Sequence, residues 1–141
     1  MCAARVGSII VAVCVAAVAT ARGQQPGAKP AATQAPITPA MIARGDSIFH
    51  GQAAGGLCFG CHGMDGKGVP GVAPDLTAGK WLHGDGSYGA IMSTVELGVP
   101  KPQQAAAPMP PMGGAQLGPA DIRAVAAYVY SLTHPAKPTG H

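Results

Sequence analysis

Two cysteines and a histidine within five residues are the part of this chain best suited to chemistry. They form the segment Cys58-Phe59-Gly60-Cys61-His62, which reads C-x-x-C-H. At this spacing two thiols can add to the two vinyl groups of one haem, and the adjacent imidazole can ligate its iron. The segment therefore predicts covalent attachment of one haem c through Cys58 and Cys61, with His62 as the proximal iron ligand.

Two other uses of paired thiols fit the sequence less well. A thioredoxin-like redox site lies in a strand-rich context, whereas the flanks of this motif are rich in glycine. A structural zinc site draws on a second pair of Cys or His at short spacing, and the sequence offers no such pair. We therefore retain the haem interpretation.

The opposite face of the iron needs a ligand from elsewhere in the chain. Met109 and Met112 lie in a proline-stiffened loop, where a thioether would lose little conformational freedom on binding. Methionine is also a common core filler, and both side chains cannot bind the same face. The remaining histidines offer a bis-histidine alternative: His50, His83, His134 and His141.

The imidazole of His62 also needs an orienting partner. The turn Pro74-Asp75-Leu76 follows the motif closely, and a backbone carbonyl there could accept the proton of the second ring nitrogen. A plain Pro-Asp turn explains the same residues equally well.

The N-terminal residues have the pattern of a secretory signal peptide. Arg5 precedes an uncharged run, and Ala19-Thr20-Ala21 supplies an A-x-A cleavage site, so residues 1–21 are predicted to be a cleaved signal peptide. Its removal takes Cys2 and Cys14 with it. We expect an exported, periplasmic protein, or a membrane-tethered one if the segment stays as an anchor. Residues 22–37 and 135–141 are predicted to be a disordered linker and tail around a domain at 38–134.

The elements that would position the haem ligands are helices. Thr38 and Pro39 can start a helix whose apolar residues follow steps of three and four. Further helices are predicted from about Ser87 to Leu97 and from Pro119 to about Thr133, with Gly98 stopping the second. The loops between them are rich in Gly and Pro, and none alternates like a strand. The fold class is predicted to be all-α, with three to four helices.

Charge excludes nucleic acid as a partner. The net charge of +3 for the whole chain depends on basic residues outside the domain at 38–134, which itself has one more acidic than basic side chain. No basic stripe forms.

Taken in order, these motifs resemble a known family. The segment Ala43 to Phe49, the C-x-x-C-H motif, Pro74-Asp75-Leu76 and the Met-Pro-Pro-Met-Gly-Gly loop are similar to those of small class I monohaem cytochromes c. The similarity is strongest to the cytochrome domains of subunit III of cbb3-type oxidases and of dehydrogenase partners. It spans about Met41 to Leu132.

The resemblance implies specific roles. In that family the methionine before the first proline ligates iron, which favours Met109. The first and last helices cross at a glycine and an aromatic residue, here Gly45 and Tyr128. Trp81 resembles a residue that faces a haem propionate, and also fits a packed tryptophan. The segment 101–107 is longer than in a minimal family member.

A haem with His and Met ligands has no open position for a substrate, so electron transfer is the expected function rather than catalysis. The iron would cycle between Fe(III) and Fe(II) in a respiratory or dehydrogenase-linked chain, with an oxidase, reductase or dehydrogenase as partner. The alternatives are a haem-bearing subunit of a larger membrane oxidoreductase, and a gas sensor or peroxidase with an open sixth site.

Overall fold

The computed structural model describes residues 36–135, and within them the fold is all-α, as predicted. No strand occurs in this range; two isolated β-bridges join Val69 to Ala73 and Val99 to Met109. The predicted signal peptide at 1–21, most of the 22–37 segment and most of the 135–141 tail lie outside the described residues. The helical elements are α1 (Pro39–Phe49), α2 (Phe59–His62), α3 (Tyr88–Leu97), a 3₁₀ turn (Pro111–Gly114) and α4 (Pro119–Ser131).

The helix boundaries follow from local sequence signals. The hydroxyl of Thr38 accepts a hydrogen bond from the backbone N–H of Met41 at 3.2 Å, and Ser87 does the same for Ala90 at 3.3 Å. Both are N-cap contacts that satisfy otherwise free backbone donors. Helix α3 ends at Gly98, whose positive φ of 69° suits glycine. The three predicted helices are thereby confirmed.

A tight crossing of α1 and α4 forms the centre of the core. A side-chain carbon on Gly45 would overlap the carbonyl oxygen of Ala124 and lie 2.8 Å from Cβ of Tyr128. Only glycine allows the two backbones to approach this closely. Beside the crossing, Ile48, Phe49 and Val125 are fully buried. The predicted contact of Gly45 with Tyr128 is therefore present.

Helix α3 packs on α4 and completes the helical scaffold. The hydroxyl of Tyr88 donates to the carbonyl oxygen of Arg123 at 3.0 Å. Ile91 and Val95 of α3 are buried in the same core. The described residues bury no charged side chain, and they include no helix long and apolar enough to cross a membrane.

Candidate haem site

The C-x-x-C-H segment folds as a single helical turn. The backbone N–H of His62 donates to the carbonyl of Cys58 at 2.9 Å, which closes the turn. Both cysteines are free thiols; Cys58 is half-buried and Cys61 exposed. Burial raises the pKa of the Cys58 thiol. The turn thus presents two unoxidised thiols next to one imidazole.

His62 is held in the orientation that an iron ligand needs. Its Nδ1 lies 3.2 Å from the carbonyl oxygen of Pro74, to which it donates, so Nε2 remains for a metal. Burial lowers the pKa of His62, which favours the neutral, ligating form. The backbone N–H of Gly68 donates to the His62 carbonyl at 2.7 Å and holds the loop against the ligand.

Met109 is fixed through its backbone. Val99 donates to the Met109 carbonyl at 2.8 Å, and the N–H of Met109 donates to the Val99 carbonyl at 3.1 Å. A side-chain carbon on Gly98 would overlap the carbonyl oxygen of Met109, so the close pairing requires glycine. The Met109 side chain is half-buried and is not part of the apolar core.

Met112 occupies a different environment. It packs against the apolar core, and its φ of 55° places it in the left-handed region, which few non-glycine residues adopt. The neighbouring Gly113 approaches the haem motif, since a side-chain carbon there would lie 3.9 Å from Sγ of Cys58. The 3₁₀ turn therefore connects the methionine loop to the thiols.

Two of the other four histidines, His50 and His134, have their rings engaged by neighbouring groups. His50 contacts the carbonyl oxygens of Asp46 and Met64 at 2.9 and 2.7 Å, which occupies both ring nitrogens. His134 stacks on Tyr130 at 4.0 Å. His83 lines a cavity of about 410 Å³, and His141 is outside the described residues. The bridging position of His50 was missed from the sequence, where no local pattern signals it.

Trp81 lies close to the C-terminal end of α4. It is half-buried and lines a cavity of about 420 Å³ together with Gly86, Tyr130 and His134. Its ring covers Gly86, where a side-chain carbon would overlap Nε1. This packing accommodates the tryptophan without involving the motif turn.

The long segment 101–107 is anchored at both of its ends. The side-chain amide of Gln103 donates to the carbonyl of Leu82 at 2.8 Å, and the N–H of Ala106 donates to the carbonyl of Gly71 at 2.9 Å. The segment therefore links the loops that contain Gly71 and Leu82. Both contacts are non-local and have no signal in the sequence.

The donor set fits a covalently bound haem. Two free thiols, a neutral imidazole with Nε2 available and a backbone-fixed thioether are the ligands that such a group uses. Within residues 36–135 no group of three or more His, Cys, Asp or Glu could hold a metal ion by itself. An all-α domain with this donor set defines a small c-type haem protein.

Comparison with known proteins identifies the family. The cytochrome c family model matches residues 42–133, more than half of the chain. The chain belongs to the cytochrome c family, and the resemblance to class I cytochromes c is confirmed. Haem-mediated electron transfer through a c-type haem is the chemistry of this domain.

Individual relatives refine the comparison. The chain is 37% identical over 95 residues to the cbb3-type cytochrome c oxidase subunit CcoP of Rubrivivax gelatinosus, covering 67% of this chain and 27% of the relative. It is 44% identical over 80 residues to CcoP of Rhodobacter capsulatus, covering 53% of this chain and 25% of the relative. The chain thus spans about a quarter of the length of these curated relatives.

Solved structures support the fold alone. Cytochrome cL of Methylophaga aminisulfidivorans has a TM-score of 0.51 at 21% identity, covering 67% of this chain and 55% of its own. A chain of the reducing HAO-like protein complex of Kuenenia stuttgartiensis has a TM-score of 0.53 at 22% identity, covering 70% and 46%.

Proposed function

We propose that this chain carries one haem c, bound through Cys58 and Cys61 and ligated by His62 and Met109, and passes single electrons between redox proteins. The observation that carries the proposal is the oriented His62 imidazole directly after two free thiols. A haem held there would supply the Fe(III)/Fe(II) couple.

The residues of the chain have separate tasks. Cys58 and Cys61 fix the macrocycle covalently, and the Pro74 carbonyl orients His62 and increases its basicity. The Val99 pairing holds Met109 at a constant position, so little rearrangement accompanies a change of oxidation state. A thioether ligand favours Fe(II) and raises the reduction potential relative to a second histidine. Trp81 is the residue proposed to face a propionate.

Met109 is preferred to Met112 for a structural reason. Met112 already packs against the apolar core, whereas Met109 does not, and Met109 has both backbone groups bonded to Val99. Withdrawing Met112 from the core would lose apolar burial, but using Met109 would not. Met109, whose side chain does not pack against the core, is therefore the better candidate ligand.

We propose a respiratory oxidase or a dehydrogenase as the redox partner. Relatives named as cbb3-type oxidase subunits favour a haem-bearing subunit over a free carrier. The two possibilities share their chemistry and differ in how long the partners stay associated. Size-exclusion of the native protein from membrane and periplasmic fractions distinguishes them, because a subunit would elute with a larger complex.

Export is part of the proposal, since haem attachment in proteins of this kind takes place outside the cytoplasmic membrane. Residues 1–21 would act as a cleaved signal, leaving residues 22–37 ahead of the domain. The intact mass of the purified protein tests the cleavage: loss of residues 1–21 supports it, and retention indicates an N-terminal anchor.

The covalent haem has a direct test. Purified protein from a host that attaches haem c should keep its colour after extraction with acidified acetone, with a mass increased by one haem. Carbon monoxide should bind the reduced protein slowly or incompletely, because sulfur occupies the sixth site. Extractable pigment would contradict covalent attachment, and rapid stoichiometric binding of carbon monoxide would favour a gas sensor.

A further inference from the structure

Residues 101–107, which we call the strap, lie within the loop that carries Met109. The backbone pairing of Val99 with Met109 closes this loop at its base, and residues 100–108 form its body. Proline fixes the φ angle at three positions of this body, which leaves it few ways to bend. A contact that holds the strap therefore also restrains Met109.

One hydrogen bond joins the strap to the loop that orients the proximal ligand. The backbone N–H of Ala106 donates to the carbonyl oxygen of Gly71 at 2.9 Å. Ala106 lies three residues before Met109 in the sequence. Gly71 likewise lies three residues before Pro74, whose carbonyl oxygen orients His62. A short stretch of backbone with one hydrogen bond in it thus connects the loops of the two candidate axial ligands.

A second hydrogen bond holds the first half of the strap. The side-chain amide of Gln103 donates to the carbonyl oxygen of Leu82 at 2.8 Å. The adjacent Gln104 is exposed as well, but in the part of the chain that the structure describes it makes no side-chain hydrogen bond. The two glutamines are therefore a matched pair, of which only Gln103 attaches the strap.

Apolar packing does little to hold the strap in place. No side chain within 101–107 is buried, and none belongs to the apolar core. The strap thus depends on the hydrogen bonds of Gln103 and Ala106, and the loss of one such bond changes an equilibrium only severalfold. A segment attached in this way can detach while the buried helices stay folded.

We propose that the strap keeps Met109 on the iron, with Gln103 and Ala106 as its positioning residues. This inference rests on the proposed function, since it requires a haem between His62 and Met109. Detachment of the strap would release the thioether and open the sixth site to a competing small ligand. The apparent affinity of that competitor is its intrinsic affinity multiplied by the detached fraction, so weaker attachment gives tighter binding.

The binding of imidazole to the oxidised haem protein measures the detached fraction. Imidazole competes with the thioether for the iron, and its binding is followed by loss of the red absorption band that sulfur–iron ligation produces. Gln103→Ala should raise the apparent affinity for imidazole about threefold, because one attachment of the strap is lost. Gln104→Ala removes the adjacent side chain of the same kind and should match the parent protein.

Proline variants test the bond to Gly71 in the same way. Ala106→Pro removes the donor and should raise the affinity for imidazole about fivefold. Ala107→Pro is the control, because the Ala107 N–H makes no backbone hydrogen bond within the described residues and a residue before Pro108 is already restricted to extended conformations. Tyr88→Phe removes a hydrogen bond between the helices instead, so it should leave the affinity for imidazole unchanged.

The controls separate the strap from general destabilisation. Unchanged affinity for imidazole in Gln103→Ala and Ala106→Pro would overturn the proposal, and an equal increase in Gln104→Ala or Tyr88→Phe would overturn it as well. If Ala106→Pro does not accumulate with haem, the comparison of the two glutamine variants decides. A parent protein that has covalent haem and the red band leaves the proposed function intact under each of these results. A parent protein without covalent haem refutes the proposed function instead.

Discussion

The helical scaffold and the ligand loops of this domain are held together in different ways. The scaffold formed by α1, α3 and α4 depends on buried apolar side chains and one close backbone crossing at Gly45. The ligand loops depend on backbone hydrogen bonds, such as the pairing of Val99 with Met109. The difference indicates that the scaffold can set the fold, while the loops fix the backbone positions of the candidate ligands.

The largest loss of stability is expected at Gly45, where the crossing of α1 and α4 leaves no room for a side chain. Gly45→Ala places a carbon against the Ala124 carbonyl and should destabilise the protein by about 3 kcal/mol or more. Gly60→Ala is the matched control, because nothing lies within 4 Å of a side-chain carbon at this helical glycine. Its free energy of unfolding in urea should stay within about 0.5 kcal/mol of the parent. Equal effects of the two changes would contradict the close crossing.

The second-largest effect is expected in the ligand loops. In Gly98→Ala the added carbon would collide with the Met109 carbonyl, and alanine would have to adopt a positive φ. Together these two effects should lower the free energy of unfolding by about 2 kcal/mol. It should also weaken the red absorption band of sulfur–iron ligation, while the far-ultraviolet circular dichroism of the helices persists.

Gly79→Ala separates the collision with the Met109 carbonyl from the cost of a positive φ. Gly79 has a similar φ of 65° but no neighbour within 4 Å, so only the backbone strain is shared. We expect the Gly79 variant to lose about 1 kcal/mol and to keep its red band. If both variants lose the band, the Val99–Met109 pairing does not fix the ligand.

A smaller effect should come from the hydrogen bond that joins α3 to α4. Tyr88→Phe removes the donor to the Arg123 carbonyl and should cost about 1 kcal/mol, measured by urea unfolding. Tyr130→Phe is the control, since no hydrogen-bond partner for its hydroxyl occurs within residues 36–135. A cost for Tyr130→Phe as large as for Tyr88→Phe would show that the loss does not come from the bond to the Arg123 carbonyl.

The smallest effect concerns His50, which connects the scaffold to the motif loop. The Met64 carbonyl, and then the carbonyl and carboxylate of Asp46, raise the pKa of His50 against the opposing effect of burial. Tyr128 packs on the same ring, and its own pKa is raised by burial and by Asp46. Only the protonated imidazole can donate from both ring nitrogens, to the Asp46 and the Met64 carbonyls, so both hydrogen bonds form only in the charged state.

The sign of the pH dependence follows from the raised pKa. The contribution of His50 to stability is fully present below the unfolded pKa of about 6.5 and is lost as pH rises through the folded value. Urea unfolding between about pH 5 and pH 9 should show this decline in the parent and not in His50→Gln. A decline of equal size in both proteins would assign it to other groups.

The sequence predicted its local features, and the family resemblance predicted one distant contact, that of Gly45 with Tyr128, but other distant contacts were missed. The caps at Thr38 and Ser87 and the stop at Gly98 act within a few residues, so the helices were predictable from pattern alone. The C-x-x-C-H spacing is equally local. The Val99–Met109 pairing, the two contacts of His50 and the anchoring of segment 101–107 join residues that only the folded chain brings together.

The red absorption band of the oxidised protein tests the central claim, a covalent haem with Met109 on its distal face, most directly. Met112→Ala is the matched control for Met109→Ala, because the two methionines share one loop. We predict that the band vanishes in Met109→Ala and persists in Met112→Ala, with the haem still covalently bound in both. A band that persists in Met109→Ala, or is absent from the parent protein, would contradict the account.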